Sequence, residues 1–492
     1  MKNIITFVIL SLLVNSSYCK RKNGKKKEAY KAEVNICDEE NRMNEIACFC
    51  TMTDVTATDA TCWVYGTKIT GDSPVWNNFE SQPSLESLKI NIRPDAMMPD
   101  VPSNALKYLK QLKWLEIEYA NILELTPYVF ANLSSLSEIT ISSNKIAHLR
   151  PNSFAHLENL TTVNLDNNQI SEIKRGVFYD VPVLKKLFLN RNNLSIIHDF
   201  AFEHLNNLEE LEVNWNEISI ITKETFFGLQ SLILLDLKKN RLTMLGDYTF
   251  SELPNLHELD VEQNQIEYIS DKAFAGLKRL RKLRLSENNL RALSSDVFRE
   301  TPNVFLLDLR SNVLETLTYD TLKPIWENLK NMTAYIKLEK NKLKCDCNLL
   351  WVHTLKNETN SNIIRNSLEE LICMTDETEP ENESPKTVPT ATEKSAEDMH
   401  YGADVQYDGE DVEYDESAEA DYEYDEVKLP RKHFFNIPIE KLPCPQMLQD
   451  VTEMADKSNW VHMMEGANSS NKMKDFSNVL ISVCALTYLL YS

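Results

Sequence analysis

From residue 160 the chain reads LTTVNLDNNQI, and the same order of apolar and polar places returns as LKKLFLNRNNL from residue 184 and LEELEVNWNEI from residue 208. Aliphatic residues fill the first, fourth, sixth and eleventh places, and an asparagine the ninth. The full frame runs Leu160, Val163, Leu165, Asn168, Ile170, Ile173, Phe178, Val181. Asparagine recurs 24 residues apart at Asn144, Asn168, Asn192, Asn216, Asn240, Asn264, Asn288 and Asn312. Phenylalanine keeps the same interval through Phe130, Phe154, Phe178, Phe202, Phe226, Phe250, Phe274 and Phe298. Two residue types held in register over eight repeats predict a stacked repeat array.

Each repeat holds a short stretch of period two, such as Val163 and Leu165, which predicts a strand with alternate residues inward. One repeat cannot bury its own apolar set, so neighbouring repeats must stack and share a core. Their strands then lie parallel in one sheet. Where a strand turns away from that sheet, backbone groups are buried without ladder partners. An asparagine side chain offers donors and an acceptor, so it can bond the backbone of its own and the next turn. Its loss is expected to cost about 1–3 kcal/mol. Phenylalanine fills the opposite side of each coil.

The pattern L-x-x-L-x-L-x-x-N-x-L resembles the extracellular leucine-rich repeat family over residues 85–343, as about eleven repeats. The ends are atypical. Leu112, Leu115 and Ile117 lead to Ala120, and Leu85, Leu88 and Ile90 to Arg93, where Asn is expected. The last Asn of the frame, Asn341, comes 29 residues after Asn312. The resemblance implies a horseshoe-shaped leucine-rich repeat solenoid, with a short parallel β-sheet on the concave face, an irregular or short-helical convex face, and cysteine-rich caps at both ends.

The cysteines fall where caps are needed. Cys37, Cys48, Cys50 and Cys62 precede the first repeat and resemble the family's N-terminal cap (residues 37–84). That resemblance implies Cys37–Cys50 and Cys48–Cys62 pairs; the sequence alone allows three connectivities. After the repeats, NKLKCDCNLLWVHTL resembles the C-terminal cap, placed at residues 344–450. It implies Cys345–Cys373 and Cys347–Cys444, the second spanning a long insertion at about residues 374–428. Zinc is disfavoured by the secreted context.

That context comes from the ends of the chain. Residues 1–19 carry Lys2, an apolar run from Ile4 to Val14 and short residues up to Cys19, and are expected to be a signal peptide. Residues 479–492 are an apolar tail shorter than a membrane span needs. Small residues and a polar spacer precede it in residues 451–478, so a glycolipid (GPI) attachment signal is expected. Asn468 is the favoured attachment residue, with Gly466, Ser469 and Ser470 beside it; a short membrane helix is the alternative. Removing both ends takes away Cys19 and Cys484 and leaves eight of ten cysteines. Sequons at Asn132, Asn159, Asn193, Asn331, Asn357 and Asn382 fit the same compartment. The expected location is the outer face of the plasma membrane, or otherwise the extracellular space.

The net charge of −22 is mostly local. Residues 369–426 hold 22 acidic side chains against Lys386 and Lys394, so the rest of the chain is close to neutral and no nucleic-acid partner is indicated. This acidic stretch is expected to be disordered. Its tyrosines, Tyr401, Tyr407, Tyr414, Tyr422 and Tyr424, all lie near Asp or Glu and are candidates for sulfation, which would recruit a basic matrix protein; a solvated spacer is the plain alternative. The basic arm at residues 20–36 is a candidate for heparan sulfate or an anionic surface, or simply a soluble end.

Exposed strand positions are where such arrays carry function. They offer Trp114, Tyr119, Phe188, Arg191, Trp215, Leu234 and Leu306 as a partner-binding face, among bands of acidic and basic residues. Aromatics and arginine suit binding hot spots, and alternating bands suit a self-complementary contact; a solvated face is the bland reading. Catalysis is not expected. His148, His198, His204 and His257 are scattered, and ten glycines leave little room for a phosphate loop. No cofactor or metal is expected.

The combination resembles connectin-like, lipid-anchored adhesion proteins of insects, from which the long insertion departs. It implies recognition of an extracellular protein, or of a second copy, through the concave face. The alternatives are a matrix organiser of the small leucine-rich proteoglycan type and a lipid-anchored co-receptor.

Overall fold

The computed structural model describes residues 35–38, 45–52, 56–131, 133–375 and 430–444. The expected signal peptide, most of the basic arm, Asn132, Asn382, the five acidic-segment tyrosines, Asn468 and the apolar tail lie outside them. No helix among the described residues is long and apolar enough to cross a membrane. The chain divides into two compact units, the larger comprising Met1–Lys342 and Asn348–Glu370.

The larger unit is a solenoid built on one 13-stranded sheet whose spatial order follows the chain. Its strands are β1 (Ile46–Cys50), β2 (Asp59–Val64), β3 (Ser87–Ile92), β4 (Trp114–Glu118), β5 (Glu138–Thr140), β6 (Thr162–Asn164), β7 (Lys186–Phe188), β8 (Glu210–Glu212), β9 (Leu234–Asp236), β10 (Glu258–Asp260), β11 (Lys282–Arg284), β12 (Leu306–Asp308) and β13 (Tyr335–Lys337). All pair in parallel except β1 with β2, which are antiparallel. From β5 to β12 the register sets each residue beside its equivalent 24 places on, as with Lys186, Glu210 and Leu234.

Inside, the frame's aliphatic residues and all eight phenylalanines are buried. The rings stack from coil to coil where Phe130, Phe154 and Phe178 meet at 5.4 and 5.2 Å, and again from Phe226 to Phe298 at 5.9–6.4 Å. Stacked rings of this kind fill the wide side of the coil with packed apolar volume.

The asparagines do for the turn what the ladder does for the strand. Asn216 Oδ1 accepts from Leu194 N at 2.9 Å, while its Nδ2 donates to Leu189 O at 3.0 Å and to Val213 O at 3.0 Å. Two of these partners belong to the preceding coil and one to its own. The bonds therefore reach backward rather than to the next turn, because the chain leaves each strand toward the side already laid down. The same set repeats at Asn168, Asn192, Asn240, Asn264, Asn288 and Asn312. In the second atypical coil Ala120 has no such amide, and Asn144 Oδ1 accepts from its backbone N–H at 2.8 Å.

The last coil is five residues longer, yet Asn341 finds equivalent partners, accepting from Leu314 N at 3.1 Å and donating to Leu309 O at 2.9 Å. The extra length is taken up on the far side, in short helical turns over Tyr319–Leu322, Lys323–Ile325 and Trp326–Leu329. Helices α1 (Trp351–Glu358) and α2 (Asn362–Glu369) follow, tied to this coil by Trp351 Nε1, which donates to Leu317 O at 2.7 Å, and by Ser361 Oγ, which donates to Ala334 O at 2.6 Å.

At the N-terminal end, Cys37–Cys50 and Cys48–Cys62 are disulfide-bonded, the second across directly opposed residues of β1 and β2. Trp76 and Phe79 are buried beneath this cap, with Trp76 Nε1 donating to Thr70 O at 2.9 Å. The smaller unit, Leu343–Cys347 with Leu371–Ser492, holds the Cys345–Cys373 and Cys347–Cys444 disulfides. It also holds an antiparallel pair, β14 (Ile372–Met374) and β15 (Arg431–His433). The acidic segment departs after Thr375 and the described chain resumes at Pro430, so the insertion falls between the two strands of that pair.

Candidate binding face

Inward residues of each strand go to the core, so the third, fifth, seventh and eighth places of each coil project from the sheet. In-register pairing turns these places into columns that cross the face. Charge alternates along them, and the alternation is already answered within one chain. Lys186 lies 2.7 Å from Glu210, Lys282 2.5 Å from Glu258, Lys238 3.0 Å from Glu262 and Arg284 3.6 Å from Asp260. Arg310 folds back on Asp308 at 2.6 Å. Where both side chains reach water, as in Lys186–Glu210, such pairs contribute roughly 0–1 kcal/mol each. Their larger effect is to neutralise the middle of the face, so the bands do not require a second copy to satisfy them.

The fifth column carries three consecutive carboxylates, Glu212, Asp236 and Asp260, opposed in register. Burial pushes the Asp260 carboxyl up to about 6; neighbouring Asp236 adds to this, while the backbone N–H of Glu262 and the Arg284 guanidinium oppose it. Burial also raises Glu212, against a hydrogen bond from Asn190 Nδ2 at 2.8 Å. A polar lattice holds these acids, with Asn214 Nδ2 donating to Asp236 at 2.6 Å and the backbone N–H of Asn190 to Asp166 at 2.7 Å.

The eighth place is left-handed in every coil after the first, including Tyr119 (φ 57°), Arg191 (φ 54°), Trp215 (φ 53°) and Lys239 (φ 54°). None of these is glycine. An L-residue there costs roughly 1–2 kcal/mol, offset by backbone bonds that extend the ladder past the strand, such as Trp215 N to Lys238 O at 3.0 Å. The side chains form a column of their own. Trp215 sits between the cations of the coils before and after it, Arg191 at 5.1 Å and Lys239 at 3.3 Å from its ring centroid.

Of the residues expected on the face, Trp114, Tyr119, Arg191 and Trp215 are exposed, and Phe188 and Leu234 are half-buried. Leu306 is a correction. It is only 4% exposed, because it lies in register between Lys282 and Tyr335, whose long side chains flank it on both sides. Sequence reasoning also missed Trp63 and Phe49, exposed on the same face in the cysteine cap. The signal was the alternation in DATCWV: with Cys62 inward, Trp63 must face out. With strands about 4.8 Å apart and about 3.3 Å per residue, Trp63, Trp114 and Tyr119 fall within roughly 20 Å of one another. The aromatic content of the face is thus concentrated at its N-terminal end.

Asn159, Asn193, Asn331 and Asn357 are exposed. Two of the scattered histidines are held by carboxylates: His198 Nε2 lies 2.9 Å from Glu172, and His204 Nε2 3.4 Å from Glu203.

The leucine rich repeat family model matches residues 110–170, 158–218, 216–266 and 254–314. Connectin of Drosophila melanogaster is 48% identical over 59 residues, which is 12% of this chain and 9% of connectin. Among solved structures, similarity extends to the leucine-rich repeat part of FLRT2 in its octameric complex with Latrophilin 3 and Unc5D, at 22% identity and TM-score 0.48, over 64% of this chain and 89% of that one. The TLR13–ssRNA13 complex matches at 22% identity and TM-score 0.47, over 55% and 42%. The Drosophila Toll–Spatzle complex matches at 20% and 0.44, over 60% and 50%.

Proposed function

We propose that this chain, a leucine-rich repeat protein, is an extracellular, lipid-anchored recognition and adhesion protein without enzymatic activity. It binds a protein partner, a second copy of itself included, through the N-terminal part of its sheet face. The observation that carries the reading is the clustering of exposed Trp63 and Trp114 on strands and Tyr119 in the turn that ends one of them, beside a middle region whose charges are internally paired. Rigid aromatic side chains lose little conformational freedom on binding and dominate interface energetics. Four disulfides fit an oxidising compartment, and the small-residue cluster and apolar tail at residues 466–492 fit a GPI signal.

A mixed-cell aggregation assay tests it. Non-adherent cells expressing the full chain are expected to cluster with one another and to exclude cells lacking it, and a Trp114→Ala, Tyr119→Ala variant at equal surface level should not cluster. Clustering that survives the double substitution would remove the face from the proposal.

The 20 acidic residues of the insertion favour a second reading, a matrix organiser whose sulfated tyrosines hold basic proteins. Phosphatidylinositol-specific phospholipase separates the two: release from the cell surface supports the anchored protein, and its absence favours the matrix molecule.

A further inference from the structure

The thirteenth place of each coil, on the flank where the chain descends from the sheet, carries Ile196, Ile220, Met244 and Tyr268 in four consecutive coils. They are 52%, 73%, 53% and 57% exposed, where single exposed apolar residues would be unremarked. Coils about 4.8 Å apart make them one stripe roughly 15 Å long, with apolar area on the order of 400 Å². Beside the two central residues the places hold short side chains, Ser219 and Thr243 on one edge, Thr222 and Gly246 on the other, while Glu267 and His198 stand at the outer ends. The centre of the stripe, at Ile220 and Met244, therefore stands above its surroundings. It begins after Glu172, which is paired with Lys174 at 2.7 Å and His198 at 2.9 Å, and ends at Ala292.

We infer that this stripe is a dimer surface whose occupant is a second copy of the chain, packed in reverse direction about a two-fold axis between the Ile220 and Met244 coils. Equal coil spacing makes the stripe superimpose on its own reverse. Ile220 then meets Met244 of the second copy, and Ile196 meets Tyr268. The charges bordering the two central coils single out this partner. One edge carries Glu217 in the Ile220 coil and Arg241 in the Met244 coil; the other carries Lys223 and Asp247 in the same order. Reversal keeps each edge on its own side and exchanges the coils, so Glu217 faces Arg241 and Lys223 faces Asp247, twice each. Within one chain Glu217 and Arg241 already approach to 3.2 Å, so the dimer closes that pair into a ring of four charges. Like signs meet only where Asp199 faces Asp271, both exposed at the rim. An isologous contact requires this reciprocity, which an unrelated protein has no reason to match. The surface is separate from the sheet face, so the two proposals stand or fall apart.

Sedimentation velocity of the purified full-length protein at concentrations on the order of 1–100 μM tests it, the range in which a small interface assembles. A monomer–dimer equilibrium is expected. Ile220→Glu should raise its dissociation constant by at least about tenfold, and Lys223→Glu should weaken it, with Asp247→Lys on top of Lys223→Glu restoring it. All three side chains are exposed, so the thermal midpoint should not move and misfolding is checked in the same samples. A monomer throughout the range, a dimer indifferent to Ile220→Glu, or no recovery in the double reversal would overturn the proposal. Cell clustering measured on Ile220→Glu separates the two surfaces: clustering kept while the dimer is lost leaves the sheet-face reading intact.

Discussion

Lys239 holds its ammonium 3.3 Å from the centroid of the Trp215 ring, and both residues occupy the left-handed turn that ends their strands. The cation on one ring face, with Arg191 over the ring at 5.1 Å, makes Trp215 part of the scaffold as much as of the surface. A double-mutant cycle on Trp215→Ala and Lys239→Met should give a coupling of about 0.5–1 kcal/mol in chemical denaturation. Additive single effects would mean that the contact is incidental.

Removing one rung of the asparagine ladder should be felt throughout the cooperative unit. Asn216→Ala strips partners from Leu194 N, Leu189 O and Val213 O, all in buried backbone. A loss of about 1–3 kcal/mol and a lowered thermal midpoint are expected. Asn216→Asp, which keeps the acceptor and loses both donors, should also destabilise.

Asp260 gives the fold a pH dependence of definite sign. Its carboxyl titrates near 6 in the folded chain against an ordinary value of 3.8. Between those values the folded state holds a proton that the unfolded state has released, so stability rises as pH falls through about 6. The penalty is fully present above that. Comparing thermal midpoints at about pH 7.5 and about pH 5, Asp260→Asn should be the more stable protein at the higher pH, with the difference shrinking at the lower. Glu172 and Glu203, which hydrogen-bonded cations hold low, shift the background the other way but are common to both proteins. No difference in pH response between the two would show that Asp260 titrates as an ordinary carboxylate.

Trp114 and Leu306 share a column of the sheet face and should behave oppositely. Leu306→Ala, at a buried site, is expected to cost about 2 kcal/mol of stability while leaving cell clustering unchanged at equal surface level. Trp114→Ala should leave stability within about 1 kcal/mol and weaken clustering. Denaturation midpoints and aggregation counts on the two variants decide the assignment.

That contrast marks how far the sequence could be read. The 24-residue interval of Asn and Phe sufficed for the solenoid, because a residue type repeated at one place in every coil must meet the same environment each time. Leu306 was misjudged because a frame assigns a face but not the length of the neighbours on that face, and Tyr335 arrives after a coil of unequal length. The cation–aromatic column was legible in retrospect, since Arg191, Trp215 and Lys239 hold the eighth place of three successive coils. The flanking stripe was too, as Ile196, Ile220, Met244 and Tyr268; attention to strand positions alone passed over the thirteenth place. Trp63 lay outside the repeat and needed the alternation around Cys62 to be followed into the cap.

The unequal last coil has a consequence for how such a molecule can change over time. Asn341 meets the backbone of the coil before it as its counterparts do, although five more residues separate it from Asn312. The inner seam therefore reads only where the chain returns, not how far it has travelled. Circumference is free to drift on the far side while the seam keeps count. New segments can be inherited there without disturbing the surfaces by which the protein meets its partners.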